Sequence, residues 1–61
     1  MNLVKISKDE ELKINEDFYV NTDLIVSLEK ISDTQTYVKF TGGAGYLINA
    51  SLDDTKSLFG L

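Results

Sequence analysis

Apolar and polar residues alternate most regularly over residues 36–40 and 46–50, and the residues between these runs include three glycines. Two alternating runs joined by a glycine-rich loop are typical of a β-hairpin, because glycine supplies the positive φ that a tight reversal needs. After Ser51 the pattern changes, and apolar residues recur at helical spacing as far as Gly60. We therefore expect a hairpin leading directly into a helix of about two turns, which is stable only if it packs against the sheet.

Shorter runs upstream predict more strand in the same sheet. Residues 2–7 form one such run, and residues 12–14 are expected to return along it as a hairpin. Residues 18–20 are β-prone, and the polar residues after them favour a turn or one helical turn over residues 22–25. Residues 25–31 resume the alternation and are expected to pair antiparallel with the first strand of the glycine hairpin, because the link is short.

These runs predict an α+β, mainly β fold, with a single antiparallel sheet of about four strands and one short C-terminal helix. The whole chain, residues 1–61, is expected to form a single small domain. A helix on one side leaves the other face of such a sheet open. The alternation assigns to the covered face Val4, Ile6, Val26, Leu28, Val38, Phe40, Tyr46 and Ile48, with Leu52, Leu58 and Phe59 above them.

The remaining apolar side chains have nothing obvious to pack on in this arrangement. They are Leu3, Phe18 or Tyr19, Ile25, Tyr37 and Leu47. Monomers rarely expose contiguous apolar patches, so the sequence predicts a partner-binding surface formed by Tyr19, Ile25, Tyr37 and Leu47. The alternative is that loops and chain ends cover these side chains, since single apolar residues on a surface are normal.

Composition strengthens the expectation of a partner. A chain of 61 residues buries a small core, and chains of this size usually add disulfides, a metal or a partner subunit. Cysteine and histidine are both absent, which removes disulfides and most transition-metal sites. Self-association is the means of stabilisation that remains, so we expect a homo-oligomer.

Charge narrows the choice of partner. The net charge is −4, and all six basic residues are lysines. Nucleic-acid binding draws most of its affinity from basic residues that neutralise phosphates, so an acidic chain without arginine is a poor candidate. No apolar run approaches the roughly 20 residues that span a bilayer, and the N-terminus lacks the apolar region of a signal peptide. The expected location is the cytoplasm.

No group of residues forms a recognisable catalytic pattern. General acid–base chemistry most often uses histidine, and the adjacent Asp53 and Asp54 follow the predicted helix N-cap Ser51, where the helix dipole favours negative charge. The glycines of the hairpin loop are followed by a strand, whereas a phosphate-binding loop needs a lysine and a helix there. We therefore predict no enzyme activity and no cofactor. A carboxylate metal site formed by Asp9, Glu10, Glu11 and Asp17 is kept as a separate hypothesis.

From Asp23 onward the chain resembles the small flagellum-associated proteins of the FlbD type. The resemblance rests on Asp23, Leu24, Ile25, Leu28, Glu29, Asp33, Thr34, Val38, Phe40, Gly45, Tyr46, Ile48, Ser51, Leu52, Asp53 and Asp54. Two departures are Ala50, where those proteins typically have glutamate, and residues 8–16, which read as an insertion. The resemblance implies a cytoplasmic accessory protein without known catalysis and assigns no role to any residue.

The leading interpretation is a non-enzymatic protein-binding or assembly module. It would be a small acidic cytoplasmic adaptor of the kind that phages and plasmids encode, acting as a homo-oligomer and able to bind a protein partner. The alternative is a nucleic-acid-binding regulator that presents Lys5, Lys13, Lys30 and Lys39 together on one face of an oligomer.

Overall fold

The computed structural model describes residues 2–61, which form five strands and one helix. The elements are β1 (Leu3–Ile6), β2 (Phe18–Asn21), β3 (Ile25–Ser32), β4 (Gln35–Phe40), β5 (Gly45–Ile48) and α1 (Leu52–Leu58). A short 3-10 turn, Thr22–Leu24, joins β2 to β3. The expectation of a mainly β chain with one short C-terminal helix is confirmed.

The strands form two sheets, so the prediction of a single four-stranded sheet is wrong. One sheet pairs β1 with β2, and the other has the order β3-β4-β5. All three ladders are antiparallel. The sheets separate at the 3-10 turn, where the side chain of Asn21 accepts a hydrogen bond from the backbone N–H of Asp23 at 3.0 Å. That turn ends β2 and redirects the chain, so that β3 pairs with β4 instead of extending the first sheet.

The prediction that residues 12–14 return along the first strand is also wrong, because β2 takes that place. Residues 9–14 instead close on themselves through a bridge between Asp9 and Ile14, with backbone hydrogen bonds of 3.0 and 2.9 Å. The Leu12 carbonyl oxygen then accepts a hydrogen bond from the Asn49 N–H at 3.1 Å. The 9–14 loop is thereby fixed to the end of β5, and Ile14 is buried at 1 % exposure.

Residues 25–48 form the antiparallel meander that the sequence predicts. β3 and β4 are joined by a tight turn, and β4 and β5 by a glycine turn in which Gly42 and Gly43 have φ of 83° and 87°. The Phe40 N–H donates to the Ala44 carbonyl oxygen at 2.9 Å and closes this second turn. The positive φ values explain why glycine is needed at these two positions.

The inner faces of both sheets meet the helix in one hydrophobic core. Its buried members are Ile6, Ile14, Val38, Ile48, Ala50 and Phe59. The Phe18 ring of the first sheet lies 5.7 Å from the Tyr46 ring of the second, between centroids, at a tilted angle. This aromatic contact joins the two sheets directly, and it shows that Phe18 is a core residue and not a surplus one.

A β-bulge corrects the predicted faces of β3. The register shifts between Ile25, which lies opposite Phe40, and Ser27, which lies opposite Lys39. Ile25 therefore packs against the core, while Val26 is 60 % exposed. The sequence predicts the opposite faces for these two residues, because simple alternation takes no account of an extra residue in one strand.

The helix begins and ends where the sequence predicts. Ser51 caps it by accepting a hydrogen bond from the Asp54 N–H at 3.1 Å, and Gly60 follows its end with a φ of 71°. Thr55 and Phe59 face the core and are fully buried. The helix lies against β3 and β4, which leaves the opposite side of that sheet open.

Candidate partner-binding surface

The structure brings together two of the four predicted partner-binding residues. Tyr37 on β4 and Leu47 on β5 lie directly opposite each other, on the side of the second sheet that faces away from the core. Tyr19 lies on the corresponding side of the first sheet. Ile25 packs against the core. The four residues therefore do not form one patch, because Tyr19 lies on a different sheet and Ile25 packs against the core.

The outer face of the second sheet consists of two rows of side chains. One row places Glu29, Tyr37 and Leu47 side by side across the three strands. The neighbouring row places Ser27, Lys39 and Gly45 side by side. Leu47 is 47 % exposed, while Tyr37 is half-buried. This face is therefore part apolar and part charged.

The half-burial of Tyr37 has a specific cause. A Cβ atom added at Gly45 would overlap the Tyr37 ring, so the ring lies directly over the glycine backbone. An aromatic side chain that covers a strand glycine in this way replaces the packing that the glycine lacks. The Tyr37 side chain therefore already packs within its own sheet, and the Leu47 side chain is the more accessible of the two.

The structure also exposes apolar residues that sequence reasoning did not assign to a surface. Val26 and Ile31 are 60 % and 57 % exposed, and both lie on β3, at the edge of the second sheet. Each falls at a shift in the β3 register. Only the apolar composition of β3 is visible in the sequence, whereas its position at an edge depends on which strands pair.

A second, separate apolar patch lies on the outer side of the first sheet. Leu3 is 58 % exposed and Tyr19 is 67 % exposed. The register places Lys5 opposite Tyr19 and Leu3 one step further along, opposite Asn21. Leu3 and Tyr19 are thus diagonal neighbours across two strands, a spacing that long side chains can bridge.

Two adjoining clefts lie between the turn after β3 and the start of the helix. Their volumes are about 300 and 370 Å³, and Asp33 and Ser51 line both. Asp33 forms an exposed ion pair with Lys30 at 3.2 Å, and Ser51 is occupied as the helix cap. Asp33 and Ser51, the two residues common to both clefts, therefore already have structural roles within the chain.

Two of the four carboxylates of the hypothetical metal site have structural partners too. Asp9 accepts hydrogen bonds from the N–H groups of Glu11 and Leu12 at 2.9 and 3.3 Å. Asp17 accepts one from the Lys8 N–H at 2.7 Å. Within residues 2–61 no group of three or more acidic side chains is placed to hold a metal ion. The structure therefore explains Asp9 and Asp17 as residues that order their turns.

The four lysines of the nucleic-acid hypothesis do not lie on one face of a single copy. Lys5 and Lys39 are on the outer sides of different sheets. Lys30 is paired with Asp33, and Lys13 belongs to the 9–14 loop. An arrangement that unites them would need a specific oligomer, and the hypothesis stays a prediction.

Comparison of the chain with protein-family models, with curated proteins and with solved structures finds no match. The resemblance to FlbD-type proteins therefore stays a prediction. No helix in the described part of the chain has both the length and the apolar character needed to cross a membrane.

Proposed function

We propose that this protein is a non-enzymatic protein-binding or assembly module that acts as a homo-oligomer. One observation carries the proposal. Within residues 2–61 the larger sheet has one face and one edge that no other element covers, and both display apolar side chains. Leu47 stands on that face, and Val26 and Ile31 stand on that edge.

Physical chemistry supports this use of the surface. An edge strand presents a row of backbone donors and acceptors that can pair with another chain. Apolar side chains beside that edge add the burial that makes such pairing favourable. The small core favours the same outcome, because a chain of 61 residues gains stability when a second copy covers more of its surface.

The proposal includes a cytoplasmic adaptor role without catalysis. The acidic net charge of −4 keeps separate copies apart at long range. Contacts between copies must therefore be specific and short-ranged. Fractionation of the expressing cells tests the cytoplasmic location.

Solution mass tests the proposed oligomer. We expect light scattering across a dilution series to give at least twice the 6.8 kDa chain mass at high concentration and to fall towards 6.8 kDa on dilution. A mass of one chain at every concentration would contradict the homo-oligomer. A pull-down from host lysate that recovers only the protein itself would contradict a separate protein partner.

A further inference from the structure

We propose that two copies of this chain pair antiparallel through their β3 strands, about a two-fold axis at Leu28. The inference rests on the proposed function and specifies the contact through which the copies assemble. A two-fold axis perpendicular to the sheet makes the β3 strands of the two copies antiparallel, and it places the outer faces of both sheets on the same side. The result is one continuous six-stranded sheet, in which the two copies of β3 are neighbours.

The free edge of β3 is the first observation. β3 has eight residues and is the longest strand in the described part of the chain. It pairs with β4 along one side only. At the other edge of the sheet, Asn49, the residue that follows β5, is attached to the 9–14 loop by the hydrogen bond from its N–H to the Leu12 carbonyl oxygen. The β3 edge is therefore the more open of the two.

The β3 register provides the second observation. Between its two register shifts, Ser27, Leu28, Glu29 and Lys30 pair regularly with β4. Bulges limit pairing at sheet edges, so a second copy has only this central segment to match. In an antiparallel pair, two residues that lie directly opposite each other point to the same face of the sheet. Because side chains alternate along a strand, this holds only if the two-fold axis passes beside one residue of the central segment and not between two residues.

Charge selects among the possible axes. An axis at Glu29 or at Lys30 would place two like charges directly opposite each other, which is destabilising. An axis at Ser27 would set the Glu29 carboxylate opposite Ile25, which packs against the core. An axis at Leu28 sets Leu28 against its own copy and Glu29 against Ser27. Leu28 is half-buried, so this contact extends the existing core.

The same register creates a complementary pair of charges on the outer face. Ser27 lies beside Lys39, so Glu29 of the second copy, Ser27 and Lys39 would form one row. Strands lie about 4.8 Å apart, so Glu29 and Lys39 would be separated by about 10 Å at the backbone. Within each copy the Ser27 hydroxyl donates to the Glu29 carboxylate at 3.0 Å, so Glu29 would exchange or share that hydrogen bond when it meets Lys39 of the second copy. Lys39 has no carboxylate within ion-pair distance among the described residues of its own copy. Because of the two-fold axis, the pair of Glu29 and Lys39 between copies would occur twice in the dimer.

The geometry also predicts where assembly stops. Pairing through β3 uses the same edge in both copies, so the contact closes as a dimer. The matched segment is short, and an interface of this length falls below the roughly 800 Å² per partner of a standard stable complex. We therefore expect a dimer that dissociates on dilution.

Charge reversal tests the contact. Glu29→Lys and Lys39→Glu each replace two attractions by two repulsions, and the double variant restores opposite charges with the signs exchanged. We expect each single variant to raise the dimer dissociation constant about tenfold, and the double variant to return most of the affinity. Sedimentation equilibrium at low salt measures these constants. Glu16→Lys and Lys5→Glu are the matched controls, because they change net charge equally at exposed positions away from β3.

Hydrogen exchange tests the same contact in the unmodified protein, so the result does not depend on whether a variant folds. Edge-facing amides within residues 26–31 should exchange more slowly as the protein concentration rises, whereas the amides of the 9–14 loop that are hydrogen-bonded within one copy should not. A concentration-dependent oligomer in which the single variants match their controls would overturn β3 pairing and leave the proposed function standing. A protein that sediments as a monomer at every concentration would overturn both.

Discussion

Two buried threonines show how identical side chains can contribute differently to stability. Thr36 and Thr55 are both fully buried. The Thr36 hydroxyl donates to the Ala50 carbonyl oxygen at 3.0 Å and ties β4 to the segment before the helix. The Thr55 hydroxyl has no hydrogen-bond partner among residues 2–61. A buried polar group without a partner costs about 1–3 kcal/mol, whereas a satisfied one is roughly neutral or stabilising.

We predict that replacing these threonines by valine, which has nearly the same shape, changes stability in opposite directions. Thr55→Val should raise the free energy of unfolding by about 1 kcal/mol, because a methyl group replaces the unpaired hydroxyl. Thr36→Val should lower it by about 1–2 kcal/mol, because the hydrogen bond to Ala50 is lost. Urea unfolding at one fixed protein concentration measures both. Shifts of the same sign would contradict this assignment.

Residue-level prediction of the surface succeeds where the strand is regular. Alternation places Tyr37 and Leu47 away from the covered face, and the structure has them on the outer face of the second sheet. It fails at Ile25 and Val26, where the bulge exchanges the two faces. A bulge depends on how a strand fits its neighbour, and the residues within the strand carry no clear signal of it.

The secondary-structure elements with local signals are the ones that the sequence predicts well. The glycine turn needs positive φ at two positions, and the helix carries a serine cap and a terminal glycine. Each of these signals acts within a few residues, so it does not depend on the rest of the fold. The two-residue link between β3 and β4 belongs to the same class, because only an antiparallel pair can form across it.

We predict that Ser51→Ala lowers the free energy of unfolding by about 1 kcal/mol, because the Asp54 N–H loses its side-chain acceptor. Ser57→Ala is the control, since Ser57 is exposed in the same helix and alanine favours helix formation. Thermal unfolding followed by circular dichroism measures both. Equal destabilisation by the two variants would show that the cap contributes nothing specific.

At the scale of the whole molecule, the sequence does not predict that the strands divide into two sheets. That division depends on β1 pairing with β2 across a connection of eleven residues, and on Ile14 entering the core from within that connection. Both are tertiary effects, because they combine segments that are distant along the chain. The open edge of β3 follows from the same division, so it could not be assigned from alternation alone.

We predict that Ile14→Ala lowers the free energy of unfolding by about 2–4 kcal/mol, because it leaves a cavity where the loop enters the core. Such a loss is a large part of the stability of a small domain, so Ile14→Val, with an expected loss of about 1 kcal/mol, serves where the alanine variant does not fold. Leu61→Ala is the control, since Leu61 is 57 % exposed and lies outside the proposed contact. Urea unfolding in which Leu61→Ala costs more stability than Ile14→Ala would contradict the buried position of the loop.

Every ladder in this structure joins strands that are consecutive along the chain. Pairing of this kind closes only short loops, and proteins dominated by short-range pairing fold faster than those built from distant segments. The sequence also contains no proline, so refolding has no slow isomerisation phase of the prolyl type. The molecule should therefore reach its folded state quickly after synthesis, and in the proposed dimer the encounter of two copies would be the slow, concentration-dependent step of its maturation.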